Sequence, residues 1–149
     1  MSRDTLRAIW KRLVPVVMHL PTAQTWRDIA RDFQKLLQCP ISIVAMDGKN
    51  IKIRAPSSSG RGFYNYKDCF SIVLLAVCDP YYNFALVDMG DNGRQNYSAV
   101  FFHSGIGEIF EDGSLNIPEG DVLPNTNIYV PFCFAAGKAF PSKVEIVKL

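Results

Sequence analysis

Up to about residue 40 the apolar positions recur at helical spacing, and beyond it they gather into short runs. Leu6, Ile9, Trp10, Leu13 and Val17 fall three or four apart, and Trp26, Ile29, Ala30, Phe33 and Leu37 do so again after a break at 20–22. Two amphipathic helices are expected. Pro15 should end or kink the first, because it lacks a backbone donor and crowds the preceding turn. Thr25 is the expected N-cap of the second, and Asp32 with Lys35 a solvent-facing pair contributing a few tenths of a kcal/mol. From Ile41 onward, β-branched and aromatic runs bounded by turn residues read as strands at 41–46, continuing through 51–53 after a bend at Gly48, then at 70–78, closed by Asp79-Pro80, at 84–87 and at 128–136. Residues 98–110, with Val100, Phe101, Ile106, Ile109 and Phe110 apolar, fit a helix despite two glycines. The predicted order is α, α, β, β, β, α, β: a helical segment at 1–40 and an α/β unit at 41–149 with a mixed sheet.

Composition fits a folded unit: 149 residues, 48% hydrophobic, 20% charged, formal charge +2. The longest apolar run, 72–78, is far short of the roughly 20 residues of a membrane-spanning helix. No membrane association is expected. Arg3, Asp4, Arg7, Lys11 and Arg12 are spread through the first amphipathic pattern, with no cleavable leader, so secretion is not signalled. Cys39, Cys69, Cys78 and Cys133 show no metal spacing, and neither His19 nor His103 has a ligand-bearing neighbour, so reduced structural thiols are expected.

The small net charge conceals an uneven distribution. Lys49, Lys52, Arg54, Arg61 and Lys67 occupy 48–67 without an acid, whereas 79–121 carries eight acids and one base, Arg94. The basic stretch is interleaved with Ser57, Ser58, Ser59, Phe63, Tyr64 and Tyr66, which suits phosphate backbones; its ordinary alternative is a solvated hairpin loop. Asp47 closes an apolar run and is followed at once by Gly48. An acid so placed can hold a divalent ion beside a phosphodiester, although Asp-Gly is also a common turn.

The wider chain resembles the DDE domain of Harbinger-type transposases and the host proteins domesticated from them. Residues 26–33 followed by Cys39-Pro40 resemble the helix before the first catalytic strand. Asp47-Gly48-Lys49-Asn50 is similar to the family's D-G-K-H, and Ala55-Pro56 with Phe63-Tyr64-Asn65-Tyr66-Lys67 to its A-P and F-N-Y-K blocks. Residues 71–79 resemble the second strand, Val87-Asp88-Met89-Gly90 the third, and Ala139-Phe140-Pro141 the signature after the fourth. The resemblance implies a ribonuclease-H-like fold, with three antiparallel strands, a helix and a parallel fourth strand, and DNA cleavage by carboxylates holding two divalent ions, Mg²⁺ or Mn²⁺.

It implies departures as well. Asp47 matches the first catalytic acid, but Gly137 stands where the second belongs, with Lys138 beside it. Tyr97 occupies the further acid position of a G-x-x-x-D motif begun at Gly93, and Asn50 replaces the histidine. The third acid, a glutamate, would lie beyond Leu149, so a C-terminally truncated domain is expected. One carboxylate leaves hard cations unclamped, and the expectation is a catalytically inactive protein with weak or absent metal binding and weak DNA binding through Lys49, Lys52, Arg54, Arg61 and Lys67. The alternative is an active nuclease using Asp47 with Asp79 or Asp88 as metal ligands. A second alternative is an inactive fragment or a protein-interaction module. Family resemblance implies the nucleus, otherwise the cytoplasm, and a sheet face bared by truncation implies self-association or a protein partner.

Overall fold

The computed structural model describes residues 5, 8, 9, 11–13, 19–140 and 146–148. Those described between 5 and 13 are helical, with Ile9 and Leu13 exposed to solvent. Leu6, Trp10, Pro15, Val17, Arg3, Asp4, Arg7 and Pro141, which figure in the sequence reading, lie outside the described residues.

Helix α1 (Ala23–Leu37) buries Trp26, Ala30 and Phe33, an i, i+4, i+7 stripe. Its cap is Thr22, not Thr25: Thr22 is extended and its side chain accepts from the Thr25 amide at 3.1 Å. The first turn therefore starts three residues earlier than expected. The ion pair on its surface is Asp28 with Arg31 at 2.9 Å, not Asp32 with Lys35. The helix stops at Gln38, left-handed at φ 51, ahead of Pro40.

Strands β1 (Ser42–Lys52), β2 (Ser71–Cys78) and β3 (Phe84–Asn92) form an antiparallel set. The bend expected at Gly48 does not occur. Pairing runs unbroken from Ala45 opposite Cys78 to Lys52 opposite Ser71, because β2 offers a partner along this length. β3 likewise continues five residues past the expected end at 87, through polar Asp88 and Asp91, with register shifts that absorb the mismatch.

The single helix expected at 98–110 is two, α2 (Tyr97–His103) and α3 (Gly105–Glu111). Ser104 breaks them. It is extended, its hydroxyl donates to the Phe101 carbonyl at 2.7 Å and accepts the Gly107 amide at 3.0 Å, so it closes one helix and caps the next. The strand expected at 128–136 is also divided. Tyr129–Pro131 (β5) pairs with Gly120–Val122 (β4) in a separate ribbon, and after Phe132 the chain enters β6 (Cys133–Ala136). β6 runs parallel to β1, and β7 (Ile146–Lys148) runs parallel to β6. Sheet order is β3-β2-β1-β6-β7. This mixed α/β architecture fits the ribonuclease-H-like arrangement.

One core unites helices and sheet. Trp26 lies fully buried near Phe134, and its Nε1 donates to the Leu115 carbonyl at 2.7 Å. Phe101, Phe110, Phe134 and Phe140 meet in edge-to-face contacts, each adding about 0.5–1.5 kcal/mol beyond area burial.

Candidate functional site

Asp47 is not at a strand end: it is the sixth residue of eleven in β1, with an exposed side chain. Its Oδ1 accepts the Gly48 amide at 2.7 Å. Gly48 faces the other way, and there the Tyr97 ring comes so close that a Cβ at 48 would stand 2.6 Å from it. Glycine is required by that approach, not by a turn. Met46 pairs with Ala136, so β6 delivers Gly137 alongside Asp47, where an added Cβ would lie 3.5 Å from Oδ1. Phe140 turns back by donating its amide to the Gly137 carbonyl at 3.1 Å and packs its buried ring near Tyr97. The fold thus sets Gly137 beside Asp47 and Tyr97 against the opposite face of the same strand at Gly48, with exposed Lys138 adjoining Gly137. Half-buried Tyr97 has its pKa raised, first by burial and then by the neighbouring Tyr66 hydroxyl and the Asp47 carboxylate.

Asp79 and Asp88 are not brought to this group. Asp79 is three positions along β2 from the partner of Asp47, or about 10 Å at strand rise. Its carboxylate accepts from the Tyr81 and Asn83 amides and the Asn83 side chain, each at 2.9 Å. Asp88 sits two strands from β1, again about 10 Å away. It receives the Gly105 amide at 2.8 Å at the start of α3. Both carboxylates are committed to local structure.

Lys49 and Lys52 project from β1, and Arg54, Arg61 and Lys67 from the connection to β2; all five are exposed. That connection is a built platform. Ile53 donates to the Phe70 carbonyl and Ser71 to that of Phe63, each at 2.9 Å, while Tyr64 and Phe70 stack edge to face at 5.2 Å. Arg61 lies over Tyr64 at 6.0 Å and Lys67 over Tyr66 at 5.4 Å. Buried Asn65 donates to the Ser71 hydroxyl at 2.7 Å, and Ser71 donates to Asn50 Oδ1 at 3.2 Å, which ties the platform to β1. A cavity of about 250 Å³ opens between Asn50, Tyr66, Arg94, Asn96, Tyr97 and Ala139. Sequence reasoning did not join Arg94 and Tyr66, because only the tertiary fold makes them neighbours.

The four cysteines are free and half-buried, and burial raises the thiols of Cys78 and Cys133, as do nearby Asp79 and Cys39 respectively. Among the described residues no three His, Cys, Asp or Glu side chains are grouped to hold a metal, and no helix is long and apolar enough to cross a membrane.

Compared with known proteins, residues 46–130 match the model of the DDE superfamily endonuclease family, more than half of the chain. The chain belongs to that family, and is a transposase-derived, nuclease-like protein. Neither the curated proteins nor the solved structures contain a significant match. The family generally uses divalent metals. The donor set here does not fit two such ions: each needs at least one or two carboxylates beside its waters and the substrate phosphate, and the described site offers the single carboxylate of Asp47 beside Gly137 and Lys138.

Proposed function

We propose that this chain is a catalytically silent DDE-family domain that holds DNA by its phosphates without cutting it. The observation that carries the reading is Gly137, whose missing Cβ would lie 3.5 Å from the Asp47 carboxylate, the place from which a second metal-binding acid would act. Without it, no pair of carboxylates holds a metal ion against the charge that develops on a phosphodiester in the transition state. Lys138 further opposes a cation there by repulsion. The exposed cations Lys49 and Lys52 of β1 and Arg54, Arg61 and Lys67 of the β1–β2 connection remain accessible, and phosphate contacts of this type position DNA without reading its sequence.

The purified chain with Mg²⁺ or Mn²⁺ should leave plasmid and single-stranded DNA intact. It should bind duplex DNA in a salt-sensitive manner that weakens in an Arg54→Ala, Arg61→Ala variant. Metal-dependent cleavage that disappears in Asp47→Ala would overturn the silent reading, and binding indifferent to both arginines would move the DNA surface elsewhere.

A further inference from the structure

On the Gly48 side of β1 the fold builds a recess that phosphate binding does not use. Its walls are Tyr66, 77% exposed and outside the core, and half-buried Tyr97, which is wedged against Gly48 and Phe140. One ring is exposed, with the Lys67 ammonium over one of its faces, and the other is held still. At about 250 Å³ the cavity falls just below the range of pockets for drug-sized ligands, a size for one planar ring system and not two.

Its polar lining is biased toward donors. Asn50 has its carbonyl oxygen occupied by the Ser71 hydroxyl, and Asn96 has its own occupied by the Ala99 amide at 2.8 Å in capping α2. Their amide N–H groups are free to donate to a ligand, while each oxygen has one of its two lone pairs engaged. Arg94 adds guanidinium donors. Gln95 is reversed: its nitrogen is bound to Asp91 at 2.9 Å, leaving the carbonyl oxygen as an acceptor. Several free donors, with the Gln95 oxygen as the unengaged acceptor, complement a base edge made of two carbonyls flanking an N–H. Lys67, stationed over Tyr66, is placed to meet the phosphate of a nucleotide stacked on that ring.

We infer that this recess binds a single unpaired thymine of a DNA strand, stacked on Tyr66 and hydrogen-bonded by Asn50, Arg94 and Gln95. The inference rests on the DNA-holding reading above and adds to it a preference for unpaired over paired DNA and for thymine over adenine. Adenine offers that edge a donor amine where a carbonyl is wanted. A paired thymine has the same edge already occupied by its partner.

Fluorescence anisotropy of the full chain against oligo-dT, oligo-dA and a mixed duplex, at one fixed salt concentration, tests it. Oligo-dT should bind more tightly than oligo-dA. Tyr66→Ala should weaken oligo-dT about tenfold, within the range of one lost base stack, while duplex affinity moves less than twofold. Arg94→Gln, at a second exposed residue, should weaken oligo-dT and narrow its margin over oligo-dA. If Tyr66→Ala and Arg94→Gln leave oligo-dT unchanged while Arg54→Ala with Arg61→Ala weakens every DNA, the recess is not a base site and the phosphate-holding reading stands. Equal weakening of duplex and oligo-dT by Tyr66→Ala also overturns the base site. If no DNA binds at all, both readings fall together.

Discussion

Position 137 shows how much chemistry one side chain can carry. Gly137 has no left-handed backbone to protect, and a Cβ there meets Asp47 Oδ1 at an ordinary 3.5 Å, so Gly137→Asp should fold and set two carboxylates side by side. Calorimetry with Mn²⁺ should change from no measurable binding to a dissociation constant of about 10⁻⁴–10⁻³ M, the range of weak oxygen-ligand sites. A variant that binds Mn²⁺ no better than the native chain would show that the two positions do not cooperate. Tyr97 supplies a second test. Its folded pKa lies above the ordinary value of 10.0, so the fold accommodates the neutral phenol. The associated stability is complete below the unfolded pKa and is lost as pH rises through the folded one. Urea midpoints followed from pH 8 to 11 should fall on the alkaline side, with Cys78 and Cys133, raised from 9.0, contributing first. Tyr97→Phe should flatten the decline above pH 10 and leave the earlier part intact. An identical alkaline limb in the variant would remove Tyr97 as its source.

Among the elements, the α2–α3 break depends on one hydroxyl. Ser104→Ala removes both the cap of α3 and the bond to Phe101, and should cost about 1 kcal/mol, and up to about 2, in a denaturation experiment. A variant as stable as the native chain would mean that packing of Phe101 and Ile106 sets the break. Trp26→Ala should cost about 3–5 kcal/mol, since it empties a fully buried site and strands the Leu115 carbonyl; a loss below about 1 kcal/mol would show that α1 is not anchored there. The stripe of α1 was legible from Trp26, Ala30 and Phe33 because helical periodicity is a local property. The apolar, β-branched run closed by Asp79-Pro80 likewise disclosed β2, although the alternation of its burial, residue by residue, was not legible in a run apolar almost throughout. Ser104 was missed because a cap inside an apolar periodic run leaves the period intact. β7 and the β4–β5 ribbon were missed because three-residue strands carry too little pattern to register, and their existence depends on partners elsewhere in the chain. At the candidate site, motif matching singled out Asp47, Tyr97 and Gly137, but nothing local tells that Tyr97 sits on Gly48 or that Arg94 shares a recess with Tyr66.

For the molecule as a whole, charge separation was legible from sequence and gives a quantitative expectation. If all five platform cations meet phosphates, a plot of log affinity for duplex DNA against log salt should have a slope no steeper than about −4.5, and Arg54→Ala with Arg61→Ala should reduce it by about 2. A flat plot would exclude the platform as the binding surface. The topology also has a consequence in time. β1 is flanked by β2, made soon after it, and by β6, made roughly 80 residues later; Trp26 waits for Leu115, 89 positions on. At about 5–20 residues per second of synthesis, the three-stranded antiparallel sheet, complete at Asn92, precedes its parallel partner, begun at Cys133, by about 2–8 s. Throughout that interval Val44 and Met46 lack their partners Phe134 and Ala136, and the β6 side of Asp47 stands open. The nascent protein therefore spends its most vulnerable seconds with its central strand half-dressed, so a chaperone that shields apolar strands on the ribosome would act on this chain before residue 137 has been added.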